Sequence, residues 1–420
     1  WERRRLACKG RGSALCATCR RDACGPWWQL LFFKTMSFND PVELVFWLSV
    51  AAVGYAYVGY PLLLTILSKL AGKPVKSREW TPSVTVVIAA YNEERDLAEK
   101  LENTLALDYP ASRLEIMVTS DCSSDRTDEI ARSFADRGVR LHRQEERHGK
   151  TAAQNAAVEK ATGEIIVFSD ATTHYRPDVL RLMMPAFADQ SVGCVTGRVI
   201  YQDEKDSSVG AGTQSYWNYE FFLKRHESAV CSLIGVCGCM YAVRKSAYKP
   251  LYNDACSDFI IATTMVEQGL RAVYVPEAVC IEEPNRQARK ELAARVRIIS
   301  QTFADLWRNR TVLNPFRSGF YAIQLWSHKL MRYLVPVCLI AIFVSTAFLA
   351  PRSPFYAVLF GLQVCFYLAA LVSSALERLG LNVRYLALPQ YFVITNLASL
   401  IAFVKFLSGE RYARWEPSRE

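Results

Sequence analysis

The stretch Ser83-Val84-Thr85-Val86-Val87-Ile88-Ala89-Ala90-Tyr91-Asn92-Glu93-Glu94 decides the fold. An apolar, β-branched run passes without alternation into a polar, acidic turn. Such a run is buried on both faces, as in a parallel sheet covered by helices. The pattern recurs twice. Leu114–Thr119 runs into Ser120-Asp121-Cys122-Ser123-Ser124-Asp125, and Glu164–Phe168 into Ser169-Asp170-Ala171-Thr172-Thr173. Helical patterns lie between: Glu93–Leu107 with Leu97, Leu101 and Leu105 in register, Thr127–Asp136, the Ala-rich Lys150–Ala161, and Asp178–Ala188 behind Pro177. Alternating strands and helices over residues 80–310 predict an α/β domain with a mostly parallel sheet. Ligands of open α/β sheets bind at the carboxyl ends of the strands. The three acidic turns are therefore expected on one rim, where a metal-bound nucleotide fits.

Outward from this domain the chain turns apolar. Composition is 51% hydrophobic, concentrated at the two ends. Residues 42–70 are long and uncharged enough to cross a bilayer, and Tyr333–Ala350, Phe355–Leu376 and Tyr385–Leu407 give about three more helices over 333–407. Residues 318–332 mix aromatic and basic side chains, the composition of a helix lying on a membrane surface. Lys69, Lys73, Lys76 and Arg78 follow the first span, which places the domain in the cytoplasm of an integral protein of the plasma (inner) membrane. Four crossings would then leave Arg411, Arg414 and Arg419 outside, against the same rule, unless one run is re-entrant or interfacial. The net charge of +9 is spread along the chain. No concentrated basic face suggests a nucleic-acid partner; anionic lipid and diphosphate suit the surplus. Residues 1–35, rich in Arg, Cys and Trp without periodicity, are expected to be a non-native or disordered leader ahead of Met36. Only Cys16 and Cys19 there have C-x-x-C spacing, too little for a zinc site.

Six segments carry chemistry. The turn Ala90-Tyr91-Asn92-Glu93 can present amides and a carboxylate to a nucleoside, or simply cap a helix through Asn92. Asp121 to Asp125 forms a second acidic turn, in which Asp125 can equally cap the helix after it. His148-Gly149-Lys150-Thr151, with Asn155, offers close backbone approach and a cation, without P-loop spacing. Asp170-Ala171-Thr172 offers one hard-metal carboxylate, with His174 nearby. Cys256-Ser257-Asp258 and the glycine segment around Gly238 come next, then Arg295-Val296-Arg297-Ile298.

In this order the segments resemble the family 2 glycosyltransferases, in their membrane-bound, polysaccharide-synthase-like branch. The resemblance implies a GT-A fold, a Rossmann-like mixed sheet with transmembrane helices beside it. It also implies inverting transfer of a sugar from a nucleotide-sugar, UDP-linked on the strength of Asp121, to a saccharide or lipid-linked acceptor. By the resemblance, Ala90, Tyr91, Asn92, Glu93 and Asp121 would hold the nucleoside, and Lys150 and Arg297 the diphosphate. Asp170 would hold Mg²⁺ or Mn²⁺, Gly238 would face the acceptor, and Asp258 would be the general base. Four departures matter. Cys122 stands where glycine is usual and suits only a negative φ. Thr172 replaces the second metal carboxylate, Ser257 replaces a glutamate, and the Gln and Trp of processive members are absent around Arg297. These departures keep three readings open: polysaccharide synthesis, a single transfer to a lipid-phosphate carrier, and a degenerate scaffold that binds nucleotide-sugars.

Overall fold

The computed structural model describes residues 40–202, 208–283, 287–379, 381 and 383–410. The expected leader at 1–35 and the arginines at 411–419 lie outside these residues. Three apolar runs form strands β1 (Val84–Ala90), β2 (Leu114–Ser120) and, after β3 (Val139–Arg143), β4 (Ile165–Asp170). Then come β5 (His174–Tyr175), β6 (Val192–Tyr201), β7 (Met240–Arg244) and β8 (Arg271–Glu282). All eight join one mixed sheet in the order β3-β2-β1-β4-β7-β6-β8-β5. Every residue of β1 is buried, as an unalternating run requires. Parallel pairing sets Ala89 opposite Thr119 on one side and Asp170 on the other. That register brings the three acidic turns level.

Helix α1 (Pro41–Ala71) overruns the expected span by one residue at each end, while α2 (Leu97–Leu105), α3 (Thr127–Ser133), α4 (Lys150–Lys160) and α5 (Val179–Met183) fall within the expected segments. The long helix α6 (Ser208–Val230) has no counterpart in the sequence reading. Beyond it lie α7 (Ser257–Glu267), α8 (Ala288–Arg308), α9 (Phe320–Arg352), α10 (Pro354–Arg378) and α11 (Ala387–Leu407). Among the described residues, α1, α9, α10 and α11 are long and apolar enough to cross a membrane. Residues 318–332 are expected as a separate interfacial helix; from Phe320 onward they run unbroken through a π-helical turn at Leu325–Leu330 into the rest of α9. The helix backbone stays hydrogen-bonded across the junction, so nothing breaks it there.

α11 differs from the other three. It lies along α8 in the same direction: Tyr391 donates to Glu291, Ala398 and Ala402 pack on Val296 and Ile299, and Phe403 and Phe406 reach Phe303. A buried polar chain ties α1, α6 and α9 together. Tyr60 donates to Glu227 at 2.7 Å, His328 Nδ1 lies 2.7 Å from the same carboxylate, His328 Nε2 is 3.3 Å from Glu220, and Arg332 pairs with Glu220. Burial opposes the charge on Glu220, but Arg332 and His328 outweigh it and hold its carboxyl well below the usual range.

Candidate active site

At the ends of β1 and β2 the two acidic turns are laced to each other. Asn92 Oδ1 accepts from Ser124 N at 2.9 Å, Asn92 N donates to Ser123 Oγ, Glu93 N to Thr127 Oγ1, and Glu94 N to Asp125 Oδ2. Asp125 also accepts from Thr127 N at 3.0 Å. Its carboxylate is thus a helix cap and inter-turn bridge, the second of its two sequence readings. Tyr91 lies under the Arg147 guanidinium, 3.7 Å from ring centroid to carbon. Buried Asp121 accepts His148 N and Gly149 N, each at 2.9 Å. It fastens the loop that carries Lys150, and only its remaining lone pairs are left for a base.

Cys122 has φ +60°. The sequence reading required a negative angle, so the cysteine bears the strain that glycine would escape. Cys122→Gly is expected to raise stability by about 1 kcal/mol, read as a higher denaturation midpoint with unchanged nucleotide affinity.

Lys150, at the start of α4, pairs with Asp170 at the end of β4. Burial works against the ammonium, but the Asp170 carboxylate outweighs it and raises the lysine pKa. Beneath this turn sits a lysine of α2. Lys100 is fully buried, donates to Thr173 O at 2.6 Å and lies 3.7 Å from the Tyr175 ring centroid. Burial pushes its pKa down to about 7. His174 turns away from Asp170 toward Glu99, at 3.7 Å.

The first turn of α7 faces Asp170 across a cavity of about 460 Å³ that both Asp170 and Asp258 line. Asp258 Oδ1 accepts the Cys256 thiol at 2.8 Å. A Cβ on Gly238 would sit 3.2 Å from Asp258 Oδ2, so the missing side chain gives the carboxylate its place. Asp305 of α8 anchors the same turn by accepting Cys256 N at 2.9 Å. Burial lifts the Asp305 carboxyl to about 7, against the pull of that amide and of Arg308. A raised folded-state pKa gives stability that is complete below about pH 4 and is lost as pH rises through about 7. Asp305→Asn should therefore gain on the order of 2 kcal/mol over the wild type at pH 8 and nothing at pH 4, measured by unfolding at both pH values.

The two arginines of α8 part company, because residues two apart on a helix face opposite sides. Arg295 is spent on Glu291, Tyr391 and the Tyr216 ring. Arg297 lines the cavity, makes no ion pair among the described residues, and has its pKa lowered by burial against the opposing fields of Asp170 and Asp258. Further lining comes from α6 (Trp217, Glu220, Lys224) and from Tyr57, Asn396 and Ser399 of the apolar helices. None of these was singled out in the sequence. The spacing 217, 220, 224, 227, one face of a helix, was the available signal.

For a divalent cation the cavity offers the Asp170 carboxylate and the Thr172 hydroxyl. No group of three His, Cys, Asp or Glu in metal-binding arrangement occurs among the described residues. One carboxylate fits Mg²⁺ or Mn²⁺ where a diphosphate and water complete the shell.

Residues 85–251 match the family model described as glycosyl transferase family 2. An N-acetylglucosaminyltransferase of Mesorhizobium japonicum is 28% identical over 266 residues, covering 58% of this chain and 61% of the relative. A beta-monoglucosyldiacylglycerol synthase of Trichormus variabilis is 26% identical over 211 residues, covering 49% and 45%. The chain thus spans less than two thirds of the length of these curated relatives. Among solved structures, the mannosyltransferase PcManGT of Pyrobaculum calidifontis, in complex with GDP-Man and Mn²⁺, superposes with a TM-score of 0.69 at 22% identity, covering 87% of this chain and 99% of that one. This likeness establishes the GT-A fold.

Proposed function

Since residues 85–251 belong to family 2 of the glycosyltransferases, we propose that the protein is a membrane-anchored inverting transferase, moving a sugar from a nucleotide-sugar to an acceptor hydroxyl. The observation that carries this reading is the single cavity lined by Lys150, Asp170, Asp258 and Arg297. Asp258 takes the acceptor's proton as its oxygen bonds to the anomeric carbon. The bond from that carbon to the diphosphate breaks, and the nucleoside diphosphate leaves with the electron pair. Arg297 and Lys150 face the growing negative charge and stabilise it. Asp170 and Thr172 would hold Mg²⁺ or Mn²⁺ together with the donor's diphosphate, and the ion would supply further charge neutralisation there. Ala90, Tyr91, Asn92, Glu93 and Asp121 frame the nucleoside end, with UDP the donor favoured.

The acceptor is a saccharide, free or lipid-linked. The hydroxyl and amide groups of Tyr57, Asn396 and Ser399 on the cavity wall suit a sugar at the membrane side. α1, α9 and α10 cross the membrane, while α11, pressed along α8, lies at its surface. Three crossings return the chain to the domain's side of the membrane before α11, which avoids the charge conflict of a fourth. A screen of UDP- and GDP-sugars for nucleotide release by the full chain in membranes, with Mg²⁺ or Mn²⁺, tests the proposal. Binding without release in every case would favour the scaffold reading instead.

A further inference from the structure

A second cavity lies among the apolar helices, a groove of about 480 Å³ between α1, α9 and α10. Its walls are mostly hydrocarbon, from residues such as Val50, Leu339, Ile342, Leu359 and Leu362, and its one amide, Gln363, is bonded to Thr346. An aromatic knot closes one end. Phe46 packs edge-on against Trp47 and Tyr356, Trp47 stacks on Phe355, and the Tyr356 hydroxyl donates to Glu43. The other end reaches Phe392 of α11, which meets Phe366 edge-on at 5.7 Å and lies 6.0 Å from the Tyr57 ring. Tyr57 lines the donor cavity, as do Thr395 and Asn396 one turn beyond Phe392. The polar cavity and the apolar groove therefore meet across Tyr57 and Phe392. From Phe46 to Tyr57 the helix rises about 16 Å, enough for a long alkyl segment.

We propose that this groove holds the hydrocarbon tail of the acceptor, so that the acceptor is a lipid whose hydroxyl-bearing head reaches Asp258. The proposal rests on the transferase reading above. Two features select this occupant. A dry, apolar slot between membrane helices accepts hydrocarbon and rejects sugar hydroxyls, which would lose their hydrogen bonds there. The knot at one end and the junction at the other orient a tail so that its head stays at the donor cavity. The polar residues beside the junction then mark where tail gives way to head.

The test uses the full chain in its own membranes with radiolabelled UDP- and GDP-sugars, separating organic-extractable from aqueous product and measuring free nucleotide. Label is expected in the organic phase. Leu359→Trp, which fills the groove, should lower the lipid product by about ten-fold or more through KM, with donor hydrolysis unchanged. Leu368→Trp, on an exposed face of α10, should change neither. Leu362→Phe adds less bulk and reads the same groove should tryptophan prevent folding. Wild-type product confined to the aqueous or high-molecular-weight fraction overturns the proposal. So does lipid product undiminished by Leu359→Trp and Leu362→Phe, which would leave only ordinary bilayer lipid in the groove. Absence of nucleotide release from the wild type would instead sink the transferase reading itself.

Discussion

Asp258→Asn is expected to reduce sugar transfer by about three orders of magnitude while leaving nucleotide binding and thermal stability close to wild type. The amide retains the shape of the carboxylate and can still accept the Cys256 thiol, so the first turn of α7 keeps its hydrogen bond. What disappears is the proposed base. An acceptor hydroxyl that cannot shed its proton during attack has to form the new bond as an oxonium, and the nearest atoms to a Cβ at Gly238 all belong to Asp258. The loss should fall on kcat, with the KM for donor nearly constant. Transfer by the purified variant at the wild-type rate would exclude Asp258 as the base.

Asp170→Asn should cost about 10²–10³-fold in kcat/KM, with a different signature. Asp170 pairs with Lys150, and each side chain keeps about a fifth to a quarter of its exposure (25% and 21%). Removing the carboxylate leaves a largely buried ammonium unpaired, so stability should fall by about 1–2 kcal/mol, less than for a fully enclosed pair. The response to Mg²⁺ and Mn²⁺ should flatten as well, since Asp170 is the carboxylate proposed to hold the ion. Isothermal titration of nucleoside diphosphate with and without Mn²⁺ checks this apart from turnover. Metal-enhanced binding that survives in the variant would place the ion elsewhere.

The fold's centre was legible because its strands are extreme in composition. A run such as Val84–Ala90 has few ways to be buried other than inside a parallel sheet. The carboxylates at the strand ends followed from that, but their individual duties did not. Asp125 and Asp121 both sit in turn-forming clusters, and only hydrogen-bond geometry reveals the first as a cap and the second as a clamp on His148 and Gly149. The left-handed backbone of Cys122 is hidden for the same reason, since φ leaves no mark on a cysteine's neighbours in sequence. Lys100 drew no notice on an amphipathic helix, and its burial comes from the β4–β5 turn, which folds over it. α6 escaped notice because its apolar and charged residues are interleaved, and its meaning lies in partners more than 100 positions away.

Those distant partners also impose an order on biosynthesis. Tyr60 leaves the ribosome first, Glu227 follows 167 residues later, and His328 another 101 after that. Until α9 arrives, Glu220 lacks Arg332 and Glu227 lacks His328, so the two carboxylates enter a dry interface at greater cost. The domain can complete its sheet while still hanging loosely from the first helix. Its contacts with α1 through this polar chain are complete only once α9 has been made. A nascent chain stalled before residue 328 would carry a complete sheet whose α6 still lacked its α9 partners.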